Sequence, residues 1–461
     1  MEQPGRTPAR RPRGDAGAGA LEYAGVLAVG ATVIALVVTA VLAVAPDLDE
    51  KVACGVRSVL SQEGACAGQD DSPTSYEAGA PPGDGDYANA SGGRGEVDPG
   101  RVGAGLDRVR DALGGGWAGV REGELRAIYD TLDGLNGPEV DALVAALTDD
   151  ELRQLVDEMG DGWLGGGWDR DDRRLFWNLL AQKASRATLD RLAGFTEELR
   201  PGFGTVGGDS AREDPESVAN QSGYAELDHD LFGADPGEPA VHPNDVRQGA
   251  IGDCWFIASM MAVAQTHPEL IENAITANSN GSYTVTLYRD GEPVQYTLTP
   301  DMVLGPNGTS AFVDDPRRSE TTELWPLLLE KAMAQHAGSY GDIEGDWPDR
   351  ALDALTGRPT TTIDPGGDLP SVQELDRYLQ DGGAVAMGSL FDKDGHPLYG
   401  RSPTDGGLVT GHAYYVQSVD TAAGTVTVVN PWGIADYPPI TMSYEDFTQA
   451  FSRYHLNEVA P

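Results

Sequence analysis

Cysteine is the scarcest chemistry-bearing residue in this 461-residue chain, present only as Cys54, Cys66 and Cys254. Three thiols are too few for a disulfide scaffold or a four-cysteine zinc site. Lysine is nearly as rare, standing only at positions 51, 183, 331 and 393. Basic residues of both kinds number 32 against 73 acidic ones, a formal net charge of −41. A surface this acidic repels phosphate backbones and anionic lipid head groups, which excludes a nucleic-acid partner. Glycine (60) and proline (30) make up about a fifth of the chain. That is short of the ~25–30% that marks a low-complexity chain, so the excess is expected in linkers.

What is present changes character along the chain. Arg6, Arg10, Arg11 and Arg13 precede 22 residues without a charge, Ala24 to Ala45. A spanning helix needs about 20 such residues. The arginines hold the N-terminus inside, so the rest is expected outside the membrane. A cleaved secretory signal is the alternative, but the run exceeds an ordinary ~7–15-residue signal core. Outside the membrane, a local Cys54–Cys66 bridge is expected, against two free thiols. Residues 46–105 read as a flexible stalk, since Ala67–Gly105 has few large apolar side chains to offset ordering.

Helical periodicity takes over in residues 106–199, with Leu125, Ile128, Leu132 and Leu135 on one face. Thr148–Glu151 reads as a capping box and Pro138 as a first helical turn. The expectation is a small all-α domain of four or five helices with solvated carboxylates and no chemistry of its own. Residues 200–240 read as an acidic, glycine-rich linker. Residues 241–461 mix helices (Cys254–Thr266, Leu324–Ala337, Ser371–Gln380) with strands (Tyr283–Tyr288, Ala384–Met387, Ala413–Gln417, Thr425–Val429), an α+β pattern.

The chemistry concentrates there. Cys254 follows Gly252-Asp253, a turn and helix-start signal, and opens an apolar helical stretch. Backbone N–H groups and the helix dipole favour thiolate at that position. The bland alternative is a small buried hydrophobe. A base is needed, and His412 stands out among seven histidines. It lies at the start of one strand, and the next strand ends in Asn430-Pro431-Trp432-Gly433. A hairpin of the two places Asn430 beside the imidazole with Trp432 shielding it. The other histidines read as surface residues.

Gln248-Gly-x-x-Gly-Asp-Cys254-Trp, Gly411-His412-Ala-Tyr and Asn430-Pro-Trp-Gly together resemble the calpain family of papain-fold cysteine proteases. The order and spacing agree, 158 residues from Cys254 to His412 and then 18 to Asn430. Leu324–Ala332, Gly338-Ser339-Tyr340, Leu355-Thr356-Gly357 and Met442–Phe447 extend the resemblance over about Val241 to Asn457. It implies a two-lobed papain-like fold at the C-terminus. It also implies Cys254 as nucleophile, His412 as base, Asn430 as its orienter, and the Gln248 amide with the Cys254 N–H as oxyanion hole. The family uses calcium in both lobes. Here one ligand position is kept as Asp245, but the expected glutamate is Gly341, with Asp342 or Glu344 as substitutes. The second-lobe acidic stretch is reduced to Ile434–Thr441. The expectation is therefore no required cofactor, with Asp245 left as one weak calcium site. At the other end, Gly17–Tyr23 within residues 1–23 resembles the leader of tight-adherence pilins, which implies a cut between Gly17 and Ala18.

These readings converge on a membrane-tethered, extracytoplasmic, calpain-like cysteine endopeptidase acting on protein or peptide substrates. Two alternatives stay open. One is a surface-assembly protein whose papain-like domain only binds; the other is a transamidase using the same triad.

Overall fold

The computed structural model describes residues 95–458, apart from 115–119, 121, 161–167, 205–221, 228, 234–238, 306–307, 314–322, 365 and 392–395. The expected membrane helix, pilin-like leader and Cys54–Cys66 pair lie outside these residues. Among the described residues no helix is long and apolar enough to cross a membrane.

Among the described residues, six helices form the N-terminal part: α1 (Pro99–Leu113), α2 (Glu122–Gly134), α3 (Gly137–Ala146), α4 (Asp149–Met159), α5 (Arg170–Lys183) and α6 (Arg186–Leu192). Their apolar faces share one core that includes Leu125, Ile128, Val140, Phe176 and Leu189. Helix α1 begins inside the segment read as stalk. Asp98 caps it by accepting from the Gly100 N–H at 2.8 Å, and Pro99 pre-sets the first turn. One of its glycines serves packing: a Cβ on Gly105 would stand 2.7 Å from Leu143 Cδ1, so the bare backbone lets α1 approach α3. The capping box at Thr148 and Glu151 opens α4, and a second at Asn136 and Glu139 opens α3.

Not all the carboxylates here are solvated, contrary to the sequence expectation. Glu139 is fully buried, pairs with Arg101 at 3.1 Å and accepts from the Asn136 N–H at 2.9 Å. Asp141 accepts from the Ser185 N–H at 2.9 Å. Both satisfy backbone donors that a core position would otherwise orphan.

The C-terminal part has two lobes. The first contains β1 (Gly223–Glu226), α7 (Cys254–Thr266), α8 (Pro268–Ala274), β2 (Ile275–Ala277), β3 (Tyr283–Arg289), β4 (Glu292–Leu298), β5 (Asp301–Leu304), α9 (Trp325–Ala337) and α10 (Pro348–Thr356). The second contains β6 (Thr360–Ile363), α11 (Val372–Gln380), β7 (Ala384–Ser389), β8 (Ala413–Asp420), β9 (Thr425–Val429), β10 (Ile440–Ser443), α12 (Tyr444–Ala450) and β11 (Phe451–Asn457). Its strands form an antiparallel sheet in the order β10-β9-β8-β7-β11-β6. Side chains alternate across that sheet. Ala384, Ala386, Ala413 and Tyr415 join the first lobe's core, whereas Val385, Met387, Tyr414 and Val416 join the second's. The small alanines on the inner face leave room for α7, which is buried along nearly its whole length and apolar all round.

The described residues of segment 200–240, read as a linker, are docked. Strand β1 pairs antiparallel with β5. Arg200 Nε lies 2.5 Å from Asp301 Oδ2, and Tyr224 donates to the Pro201 carbonyl at 2.7 Å. The helices also grip the first lobe. Asn178 on α5 bonds β4 like an added strand, donating to Gln295 O at 2.7 Å and accepting from Thr297 N–H at 2.8 Å. Asn280 caps the end of α5 through Ala181 O and Ala184 O, at 2.8 and 2.7 Å.

Candidate active site

Between the lobes lies a cleft of about 480 Å³ whose lining includes Gln248, Cys254, Trp347, Ser389, His412 and Trp432. Cys254 opens α7, as its sequence context requires. Its sulfur faces the N–H groups of Ala413, of Trp255 and of its own residue. Burial nevertheless pushes the thiol up to about 11, with the neighbouring Asp253 carboxyl adding to the rise.

Strands β8 and β9 pair with Tyr415 opposite Val429, so the residues flanking that end of the hairpin, His412 and Asn430, come together. His412 Nε2 lies 2.9 Å from Asn430 Oδ1. The Trp432 N–H donates to the same Oδ1 at 2.9 Å, which identifies that atom as the oxygen. Nε2 therefore carries the proton and Nδ1 is left bare, the tautomer of a base. The Trp432 ring lies 4.6 Å from the imidazole and covers it. Burial pushes His412 down to about 4, opposed by the Asn430 contact. Ser389 holds the histidine's backbone, its Oγ accepting from the His412 N–H at 2.8 Å.

Gln248 lines the cleft and donates from Nε2 to the Ile251 carbonyl at 2.8 Å, which leaves that amide a second N–H. Its backbone N–H donates to Pro431 O at 2.8 Å, tying the nucleophile loop to the Asn430 segment across the lobes. The structure thus brings Cys254, His412, Asn430 and Gln248 to one cleft.

Asp245 stands apart from the cleft lining. It is buried, and its Oδ2 accepts from the His242 N–H at 2.7 Å, closing a short 3-10 turn. Asp342 accepts from Ser339 Oγ at 2.8 Å, and Glu344 from the Gly252 N–H at 3.2 Å. Among the described residues no three His, Cys, Asp or Glu side chains gather as a metal ion requires. A calcium ion takes about six to eight oxygens, backbone carbonyls and waters among them.

Sequence reasoning missed the pair beneath the nucleophile. Asp253 and Glu330 are both buried with carboxyls facing each other, and burial raises both above the usual carboxylate range. Glu330 also accepts from the Val313 N–H at 2.9 Å. The available signal was a glutamate inside the apolar run Leu327–Ala334. Ser389 had no signal. The histidines also differ from expectation: His455 is fully buried and His336 is half-buried.

A thiol at a helix start that shares a cleft with an imidazole whose tautomer a carboxamide fixes defines a candidate cysteine-nucleophile site. Residues 237–443 match the calpain family cysteine protease profile. The chain is 33% identical over 230 residues to the calpain-type cysteine protease DEK1 of Arabidopsis thaliana, covering 47% of this chain and 10% of that protein. Calpain-B of Drosophila melanogaster is 27% identical over 204 residues, 41% of this chain and 21% of the relative. Calpain-14 of Homo sapiens is 26% identical over 216 residues, 42% of this chain and 28% of the relative. The chain therefore carries a calpain-family cysteine protease domain, and it spans well under a third of each of these relatives.

Proposed function

We propose that this chain is a cysteine endopeptidase that hydrolyses protein or peptide substrates in the cleft between its lobes. The observation that carries the reading is the Asn430-fixed tautomer of His412 in the cleft that holds Cys254. His412 Nδ1 takes the thiol proton, and the sulfur attacks the scissile carbonyl. Burial disfavours a lone thiolate and a lone imidazolium alike, but proton transfer inside the pair creates the two charges together. The developing oxyanion meets the Cys254 N–H and the second N–H of Gln248. The imidazolium then protonates the leaving amine, and water hydrolyses the acyl-enzyme with His412 again as base. The proposal extends to a tether: the uncharged run Ala24–Ala45 anchors the chain with its catalytic domain outside the membrane.

Hydrolysis of a quenched peptide by variants of the full chain tests the reading. Cys254→Ala and His412→Ala bring activity close to background, and Gln248→Ala lowers kcat by about 10²–10³. The losses do not add, because the groups act as a unit. Undiminished hydrolysis by Cys254→Ala overturns the proposal.

A further inference from the structure

The nucleophile sits on a loop, residues 248–254, whose two flanks rest on two other segments. On one flank, the Ala250 N–H donates to Ala311 O at 3.1 Å. Beside it Gly249 lies so close to Phe312 that a Cβ would fall 1.5 Å from the Phe312 carbonyl oxygen. On the other flank, the Gly345 N–H donates to Gly252 O at 3.0 Å, and the Trp255 indole donates to Ile343 O at 2.7 Å. Neither segment is a long regular element, so each needs support of its own.

Both take it from residues 202–203, which lie outside the 237–443 span of the family match. The Phe203 ring meets Phe312 edge-on with centroids 6.2 Å apart, stacks on Tyr340 at 6.2 Å and reaches Tyr224 at 6.0 Å. Phe312 and Tyr340 are themselves buried, with centroids 4.7 Å apart. The carbonyls of Gly202 and Phe203 accept from the Tyr340 and Gly341 N–H groups, each at 3.0 Å. Phe203 is thus a common buttress beneath both flanks. Its own position is set by the Arg200–Asp301 ion pair and the Tyr224–Pro201 hydrogen bond.

We propose that residues 199–204 are a strap belonging to the catalytic unit, with Phe203 as a positioning residue that holds loop 248–254 in the geometry the thiol needs. The strap touches no substrate; it acts through Phe312 and Tyr340. The inference rests on the proposed cysteine-nucleophile chemistry, and its test reads the thiol separately from peptide hydrolysis. A general packing role predicts that any loosening of the helical part from the first lobe slows the enzyme. The strap predicts that only loosening at Phe203 does.

The test uses the full chain with Cys54→Ser and Cys66→Ser, so that Cys254 is the sole thiol. The alkylation rate by iodoacetamide, kcat and KM on a peptide, and Tm are measured together. Phe203→Ala lowers both the alkylation rate and kcat by about tenfold or more, with KM within about threefold. Phe203→Tyr keeps both near the parent. Asn178→Ala, which loosens the docking on β4 far from the loop, lowers Tm but leaves alkylation within about twofold. Should Phe203→Ala fail to fold, Phe203→Leu carries the test with an intermediate loss in alkylation. Parent-like alkylation in Phe203→Ala or Phe203→Leu overturns the strap, as does an equal loss in Asn178→Ala. A parent that alkylates but hydrolyses no peptide sinks the endopeptidase reading instead, while the alkylation comparison still judges the strap.

Discussion

Asp253 occupies an awkward place for an acid, one residue before the nucleophile, completely buried and facing the buried Glu330. Two carboxyls without solvent cannot both ionise cheaply, so a proton stays between them and one negative charge is at most shared. Whatever charge Asp253 carries raises the Cys254 thiol. The sign follows directly. Removing the carboxylate removes a like charge beside the forming thiolate, so the thiol titrates at lower pH. Asp253→Asn therefore shifts the pH profile of Cys254 alkylation toward acid, and alkylation at neutral pH speeds up. The amide keeps the shape of the side chain, so the profile separates charge from packing. A shift in the alkaline direction would show that Asp253 acts as a hydrogen-bond anchor for the helix start instead.

The elements that were legible from sequence were those whose pattern is local. Helix α7 runs over the residues its apolar stretch marked out, Cys254–Thr266, and the strands around His412 and Asn430 stand where β-branched and aromatic alternation put them. The juxtaposition of His412 with Asn430 was legible too, because a hairpin fixes its partners by register. Residues 200–240 were misread for the opposite reason. Their composition is acidic and glycine-rich, but docking depends on a few residues, Phe203, Tyr224, Leu231 and Phe232, and on backbone pairing that composition does not report. Burial of Glu139 and His455 was illegible because it arises only when distant segments close over them. Gly249 shows how close such an approach becomes. With a Cβ 1.5 Å from the Phe312 carbonyl oxygen, neither backbone can yield by a few tenths of an ångström. Gly249→Ala therefore forces loop 248–254 off segment 310–313. The expected outcome is loss of peptide hydrolysis together with a Tm lowered by several degrees, since overpacking costs ~1–3 kcal/mol or more. Parent-like kcat and Tm in this variant would mean that the two backbones are not in contact in solution.

At the scale of the whole molecule, the question is what holds the two lobes in register. Contacts internal to the chain join them: the Gln248 N–H to Pro431 O bond, α7 packed on β7 and β8, and the Trp347 ring with Arg453 over it at 4.4 Å and His455 at 6.0 Å. The carboxylates nearest the first-lobe calcium position that the family resemblance implies are occupied by other bonds: Asp245 receives His242, Asp342 receives Ser339, and Glu344 receives Gly252. Drawing these three onto one ion would break a turn, a side-chain bond and a brace of the nucleophile loop. An alternative role for divalent ions is diffuse screening of the net charge of −41, which any divalent cation performs. The two roles separate in one titration. Activity of the full chain is measured against free calcium with a chelator, at constant ionic strength, with magnesium in parallel. The expected result is kcat/KM within about twofold throughout, or an equal small rise with either ion. A calcium-specific rise near ~10⁻⁴–10⁻³ M would reveal one weak extracellular-type site built from Asp245. A steep calcium-specific activation at micromolar concentration would mean that the lobes are not joined by the chain's own contacts and that the ion completes the cleft.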